Sequence, residues 1–167
     1  MADGDVDHAV LFERIVRLQV DLFNAVDTRL RRELDLLLIA LLPMRIVAAH
    51  PGCRVQEIAD GLGISVGGAS KSADRLERGG WVRRVDNPSD RRSSVLELTA
   101  EGERMVAAGS AIIREELDAR VGPMLGAQEL ARFAADVDRL LGLGPAPQTP
   151  VEGKTPPARS SSGHQQQ

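Results

Sequence analysis

Two adjacent arginines, Arg91 and Arg92, follow the turn-forming Asn87-Pro88-Ser89-Asp90 and precede the alternating Ser94-Val95-Leu96-Glu97-Leu98. The pattern reads as a β-hairpin whose tip no core requires. A guanidinium is always charged, and its planar fork suits phosphates and base edges, so contact with an anionic polymer is the chemistry these residues offer. The rival reading is a solubilising loop. Net charge is −3, but seven basic residues (Lys71, Arg75, Arg78, Arg83, Arg84, Arg91, Arg92) and four acidic ones lie between Lys71 and Arg92. A positive patch on an acidic body is an electrostatic footprint for nucleic acid. Asp74 and Asp90 sit among these arginines, which hold carboxylates ionised and make them poor proton donors. No Ser-His-Asp arrangement, phosphate loop or metal-ligand set accompanies them, so the reading is of a non-enzyme without cofactor or metal.

The elements that must carry these groups follow from periodicity. Leu11, Ile15, Leu18, Leu22, Val26 and Leu30 recur at steps of three and four and predict a long helix over 8–33. The segment 34–50 is too apolar for periodicity to place a face; it reads as a buried helix that Pro43 starts, kinks or breaks, and Pro51-Gly52 ends it. Val55, Ile58, Ala59 and Leu62 form a short amphipathic helix stopped by Gly63. Ser65 is the expected N-cap of a second helix whose Ala69, Ala73 and Leu76 face inward and which Gly79-Gly80 ends. Two short helices joined by a Gly-containing turn make a helix-turn-helix. Small residues from Gly67 to Ala73 suit a helix whose backbone must approach something closely, since Gly otherwise costs a helix about 1 kcal/mol. Strands at 81–85 and 94–98 follow, then a helix over 100–121 capped by Thr99 and a last one over 127–142.

The chain has 167 residues, with three Phe, one Trp and no Tyr, so a core must come from Leu, Val, Ile and Ala. A single Cys excludes an intrachain disulfide and a cysteine-rich zinc site. The opening Met1-Ala2-Asp3-Gly4-Asp5 is acidic, not a basic leader, and the longest apolar run, 36–44, is too short for a bilayer. A cytoplasmic location without membrane contact is the expectation. Residues 144–167 are rich in Pro, Ser, Thr and Gln and read as a disordered tail.

Taken together, the fold class is mainly α: a winged helix-turn-helix with a small β-hairpin wing, flanked by N- and C-terminal helices. The helices over 8–33 and 100–142 flank a DNA-binding lobe expected at 34–99. The second helix of the motif would enter a major groove. Ser65, Gly67, Gly68, Ser70, Lys71 and Arg75 would contact double-stranded DNA, and Arg91 and Arg92 would reach a neighbouring minor groove.

The stretch 73–102 also resembles the MarR family of transcription regulators. The carrying residues are Asp74-Arg75-Leu76, Gly80-Trp81-Val82, Asn87-Pro88-x-Asp90-x-Arg92 and Leu98-Thr99-x-x-Gly102. The helical order extends the likeness to about 8–142. The resemblance implies a homodimer on a pseudo-palindromic operator, with the N- and C-terminal helices, 8–33 and 100–142, forming a dimerisation domain, with Arg92 as the wing arginine and with Asp74 and Asp90 positioning wing arginines by ion pairing. It further implies a small aromatic or lipophilic anionic effector in a pocket between the dimerisation helices and the lobe, and a repressor that this ligand releases. Pro43 departs from the family's uninterrupted second helix.

Rival functions are a winged-helix protein dock without DNA binding and a metal- or redox-responsive regulator. For the latter, Cys53 reads as a lone buried thiol, and His8 and His50 lack ligand spacing. Trp81 reads as core. Leu41 and Met44 are pocket wall or core, and Arg17 and Arg45 are surface ion pairs ahead of anion ligands.

Overall fold

The computed structural model describes residues 6–86 and 94–143. The order is α1 (His8–Leu34), α2 (Leu38–Ala49), α3 (Val55–Leu62), α4 (Val66–Arg78), β1 (Val82–Asp86), β2 (Ser94–Leu98), α5 (Ala100–Val121) and α6 (Ala127–Leu140). Two compact units divide at Met124. The winged helix-turn-helix lies in the first, and the anticipated tail, 144–167, lies outside the described residues.

In the first unit, Asp35 adopts a left-handed conformation at φ 49° and ends α1. The expected helix over 34–50 is therefore shorter. It starts at Leu38, because α1 closes first and the chain must turn. Leu37 caps α2 with no side-chain bond of its own. Asp27, from α1, accepts from the Leu38 N–H at 2.8 Å instead. Pro43 lies inside α2 and is buried. Its missing N–H deprives only the carbonyl of Ile39, in the first turn on the exposed side, where water can replace the bond. The helix thus runs through the proline.

Leu30, Leu36, Leu41, Met44, Ile58, Leu76 and Leu96 are wholly buried and knit α1, α2, α3, α4 and β2 into one core, with Ile112 reaching in from α5. Burial of each such side chain contributes about 1.5–3 kcal/mol. Leu41 and Met44 are core, not pocket wall. Trp81 is half-buried against this core and precedes β1 rather than opening it. The strands pair antiparallel with Val82 opposite Leu98 and Asp86 opposite Ser94. Cys53, ahead of α3, adds a third backbone link by accepting from the Leu96 N–H at 2.7 Å.

The junction of wing and α5 is tight. Thr99 Oγ1 accepts from the Gly102 N–H at 3.1 Å and donates to the Gly80 carbonyl at 2.7 Å, while the Thr99 N–H donates to the Trp81 carbonyl at 3.0 Å. A Cβ on Gly102 would overlap that same carbonyl oxygen. Farther along α5, a Cβ on Gly109 would come within 2.6 Å of Leu41. Arg29 then ties α1 to α5, donating to Glu33 at 2.9 Å and to Glu115 at 2.5 Å. These bonds raise the Arg29 pKa, and Arg29 followed by Arg32 holds Glu33 below the usual carboxylate range.

The N-terminal half of α1 leaves its apolar side uncovered. Val10, Leu11, Phe12, Ile15, Val16 and Leu18 are exposed, and burial begins only at Val26. Considered alone, the second unit holds α6, where Gly126 N–H donates to Glu129 at 2.8 Å to start the helix. It ends at Leu140, two residues short of the expectation, with Leu130, Phe133 and Leu140 exposed. No helix among the described residues is long and apolar enough to cross a membrane.

Candidate nucleic-acid interface

The second helix of the motif, α4, is a surface element with three differentiated flanks. Ser65 Oγ accepts from the Gly68 N–H at 3.2 Å and starts it. Helical spacing sends Ala69, Ala73 and Leu76 into the core, where all are buried. The opposite side carries Gly67, Lys71, Asp74 and Arg78, all exposed. At Gly67 a Cβ would meet nothing within 4 Å. Nothing among the described residues therefore requires glycine there. Gly68 differs: its Cβ would lie 3.3 Å from Ser65 Oγ, so the capped turn itself favours a small residue.

One lateral flank faces the wing. Arg84, on β1, donates to Asp74 at 2.5 Å, to Glu77 at 3.1 Å and to Ser94 Oγ at 3.3 Å. Arg84 is only 29% exposed, so this latch is more protected from solvent than an ordinary surface pair. It fixes the hairpin against the helix. Asp74 thus pairs with an arginine of the wing strand. In the sequence Arg84 stands out only as positive charge; the local signal for the latch is the i, i+3 spacing of Asp74 and Glu77, which puts both carboxylates on one flank. Arg83, next door, points the other way and pairs with Glu97 at 2.7 Å.

The other flank borders a groove of about 470 Å³ between α2, the α3–α4 turn and α4. Ile39, Leu42, Leu62 and Ile64 form its apolar wall, and Lys71, Ser72 and Arg75 its rim on α4. Lys71 and Arg75 are exposed and make no ion pair with any described residue. Ser65 is exposed at the head of the helix and Ser70 is half-buried. The structure thus brings Ser65, Gly67, Gly68, Ser70, Lys71, Asp74 and Arg75 onto one helix. Asp90, Arg91 and Arg92 lie outside the described residues.

The sensor candidates fall elsewhere. Cys53 is buried, its thiol donates to the Arg54 carbonyl, and burial with help from Glu57 pushes its pKa up to about 11. That is the opposite of an activated thiolate. His50 Nδ1 lies 2.9 Å from the Ile46 carbonyl, and His8 is exposed in the first turn of α1. No cluster of metal-ligating side chains occurs among the described residues. Arg17 pairs with Asp21 at 3.0 Å on the surface of α1, and Arg45 donates to Ser110 Oγ at 3.1 Å.

Residues 35–93 match the MarR family model. An uncharacterized HTH-type transcriptional regulator of Bacillus subtilis, YfiV, is 30% identical over 73 residues, which is 44% of this chain and 46% of that protein. The chain spans about half the length of the curated relatives it matches. Among solved structures, a mutant of the Escherichia coli MarR protein complexed with operator DNA superposes with a TM-score of 0.72 at 21% identity, over 84% of this chain and 99% of that one. CouR of Rhodococcus jostii RHA1 bound to p-coumaroyl-CoA superposes with a TM-score of 0.71 at 18% identity, over 84% and 96%. At those identities the likeness is one of fold. The sequence match to the MarR family thus spans the winged-helix lobe, residues 35–93, and the likeness to the solved structures is one of fold.

Proposed function

We propose that this chain is a homodimeric, sequence-specific DNA-binding transcription regulator of the cytoplasm, and that it acts as a repressor released by a small-molecule ligand. The observation that carries the reading is α4 itself. It is a capped, exposed helix with an open glycine at its head and cations on its rim, latched through Arg84 to a pair of strands between which the sequence carries Arg91 and Arg92. A helix of that kind can settle into a major groove, with Gly67 admitting the duplex closely and Ser65, Gly68 and Ser70 near base edges or phosphates. Lys71 and Arg75 would neutralise phosphates, and Arg91 and Arg92 would enter the adjoining minor groove. The E. coli protein of the same fold was solved with operator DNA, which supports the assignment.

Dimerisation is drawn from the uncovered apolar side of α1 and, separately, from the exposed apolar residues of α6. A contiguous exposed apolar stripe is the mark of an association surface. Two-fold symmetry then requires a pseudo-palindromic site with half-sites about one DNA turn apart. The domain assignment carried forward is 8–33 with 100–142 for dimerisation and 34–99 for DNA. Ligand release rests on the groove beside α4 and on the CouR complex with a small molecule.

The test is selection of random duplexes by the purified protein at physiological salt. Enrichment of an inverted repeat, bound with an affinity that falls steeply with salt, is the expected result. A folded dimer that enriches nothing and shows no salt-dependent duplex binding would make the winged helix a protein dock instead.

A further inference from the structure

We propose that Val66 is a specificity-determining residue of the interface, and that its methyl groups pack against the 5-methyl group of a thymine in the major groove. The inference rests on the DNA-binding reading above and names one base that the helix selects. Val66 opens α4 and is 50% exposed. It does not pack against the core cluster to which Ala69, Ala73 and Leu76 of the same helix belong. A single exposed valine is ordinary on a protein surface, so its place must give it the role. At the head of a helix it gains the fold nothing. Valine is a weaker helix former than alanine, and its apolar surface stays in water. α3, α5 and α6 each carry a glutamate in the first turn, where a carboxylate meets the positive end of a helix. The first turn of α4 carries no acid and reads Val66-Gly67-Gly68. That head is uncharged and apolar, and no carboxylate in it repels a phosphate.

The other side chains of α4 decide which base Val66 meets. A docked recognition helix enters the groove with its N-terminal residues against the base edges. Val66, Ser70 and Asp74 are spaced at i, i+4 and i+8 and follow one row along the helix, with Gly67 and Lys71 on the row beside it. Asn or Gln would read an adenine bidentately, and α4 contains neither. Lys71 suits a guanine or a phosphate, and Ser70 suits any base. Asp74 is engaged by Arg84. For an A·T pair under the head of the helix, the feature an aliphatic side chain can distinguish is the thymine methyl. Val66 is the aliphatic side chain of its row. Gly67 beside it has open space where a Cβ would stand, so the backbone leaves room for methyl to meet methyl.

The experiment uses the full chain and the duplex enriched by selection, with deoxyuridine replacing thymidine one base at a time. The exchange removes the 5-methyl group and keeps the base pairing. One thymine in each half-site should stand out, and loss of its methyl should weaken binding by up to about fourfold per half-site. Val66→Ser should melt with the wild type, because an exposed substitution away from the core changes stability little. It should lose affinity for the thymine duplex by a similar factor and bind the thymine and uracil duplexes equally. Val66→Ala keeps one methyl and improves helix propensity, so it should retain part of the preference. Selection repeated with Val66→Ser should blur that one position of the motif and leave the others sharp. A thymine preference that survives in Val66→Ser would assign the methyl to another side chain or to DNA stiffness, and would overturn the inference. So would salt-dependent binding to a duplex in which no uracil substitution matters. Both results leave the DNA-binding reading standing. A folded dimer that binds no duplex would overturn that reading and this inference together.

Discussion

Gly67 separates folding from function at the scale of one residue. Its Cβ position is open space, so alanine there meets no clash with any described residue. Gly67→Ala should stabilise α4 by up to about 1 kcal/mol through helix propensity. The same methyl would stand between the helix and a duplex. Binding should weaken by about tenfold, the equivalent of ~1.4 kcal/mol. Thermal melting and duplex titration on one preparation read both signs; a variant that gains stability and keeps its affinity would remove Gly67 from the interface. Cys53 supports a different prediction. Its pKa is raised from 9.0 to about 11, chiefly by burial. The neutral thiol is favoured in the fold, so the associated stability is complete below pH 9 and is lost as the pH rises toward 11. A thiol reagent at pH 7.5 should label the unfolded chain readily and the native chain slowly, and Cys53→Ser should remove the pH 9–11 component of an alkaline melting profile. Fast native labelling would revive a redox role.

At the scale of elements, two of the wing's fastenings can each be released separately. Its base is held by Thr99 and by the absence of a side chain at Gly102. Gly102→Ala forces a methyl onto the Trp81 carbonyl, and because backbone cannot yield as a side chain does, the cost should be about 1–3 kcal/mol in denaturant melts. An unchanged midpoint would mean that α5 shifts freely against the wing. Nearer the tip, Arg84 joins β1 to α4. Arg84→Ala should cost little global stability, since such pairs are partly solvated. It should nevertheless speed amide exchange in β1 and β2 and weaken duplex binding, because the hairpin loses its alignment to α4. Unchanged exchange would show that the strand pairing alone positions the wing.

At the scale of the whole molecule, the N-terminal half of α1 is an exposed apolar surface, where Leu11, Phe12, Ile15 and Leu18 face outward. Burial of such a stripe against a second copy is the hydrophobic gain that would drive association. Ile15→Glu should dissociate the dimer in sedimentation while leaving the winged-helix core folded, because Ile15 touches none of that core. It should also abolish cooperative binding to an inverted repeat but leave weak binding to a half-site. A dimer that survives Ile15→Glu with unchanged affinity would move the interface away from α1.

Local patterns determined most of the elements. The cap Ser65, the inward trio Ala69, Ala73 and Leu76, the cap Thr99 and the stop at Gly63 are all short-range signals, and each behaves in the fold as its side-chain chemistry dictates. The family pattern in residues 73–102 was likewise written in the chain. Other features depend on residues far apart in sequence, which no local period encodes. Asp27 capping α2 across eleven positions, Cys53 pairing with Leu96, and Gly102 abutting Trp81 arise only when helices pack. The passage of α2 through Pro43 is of this kind, since propensity alone disfavours it and burial outweighs the lost bond. The groove beside α4 belongs here too. Its wall and its rim come from three segments, and only packing brings aliphatic side chains and two cations to one place.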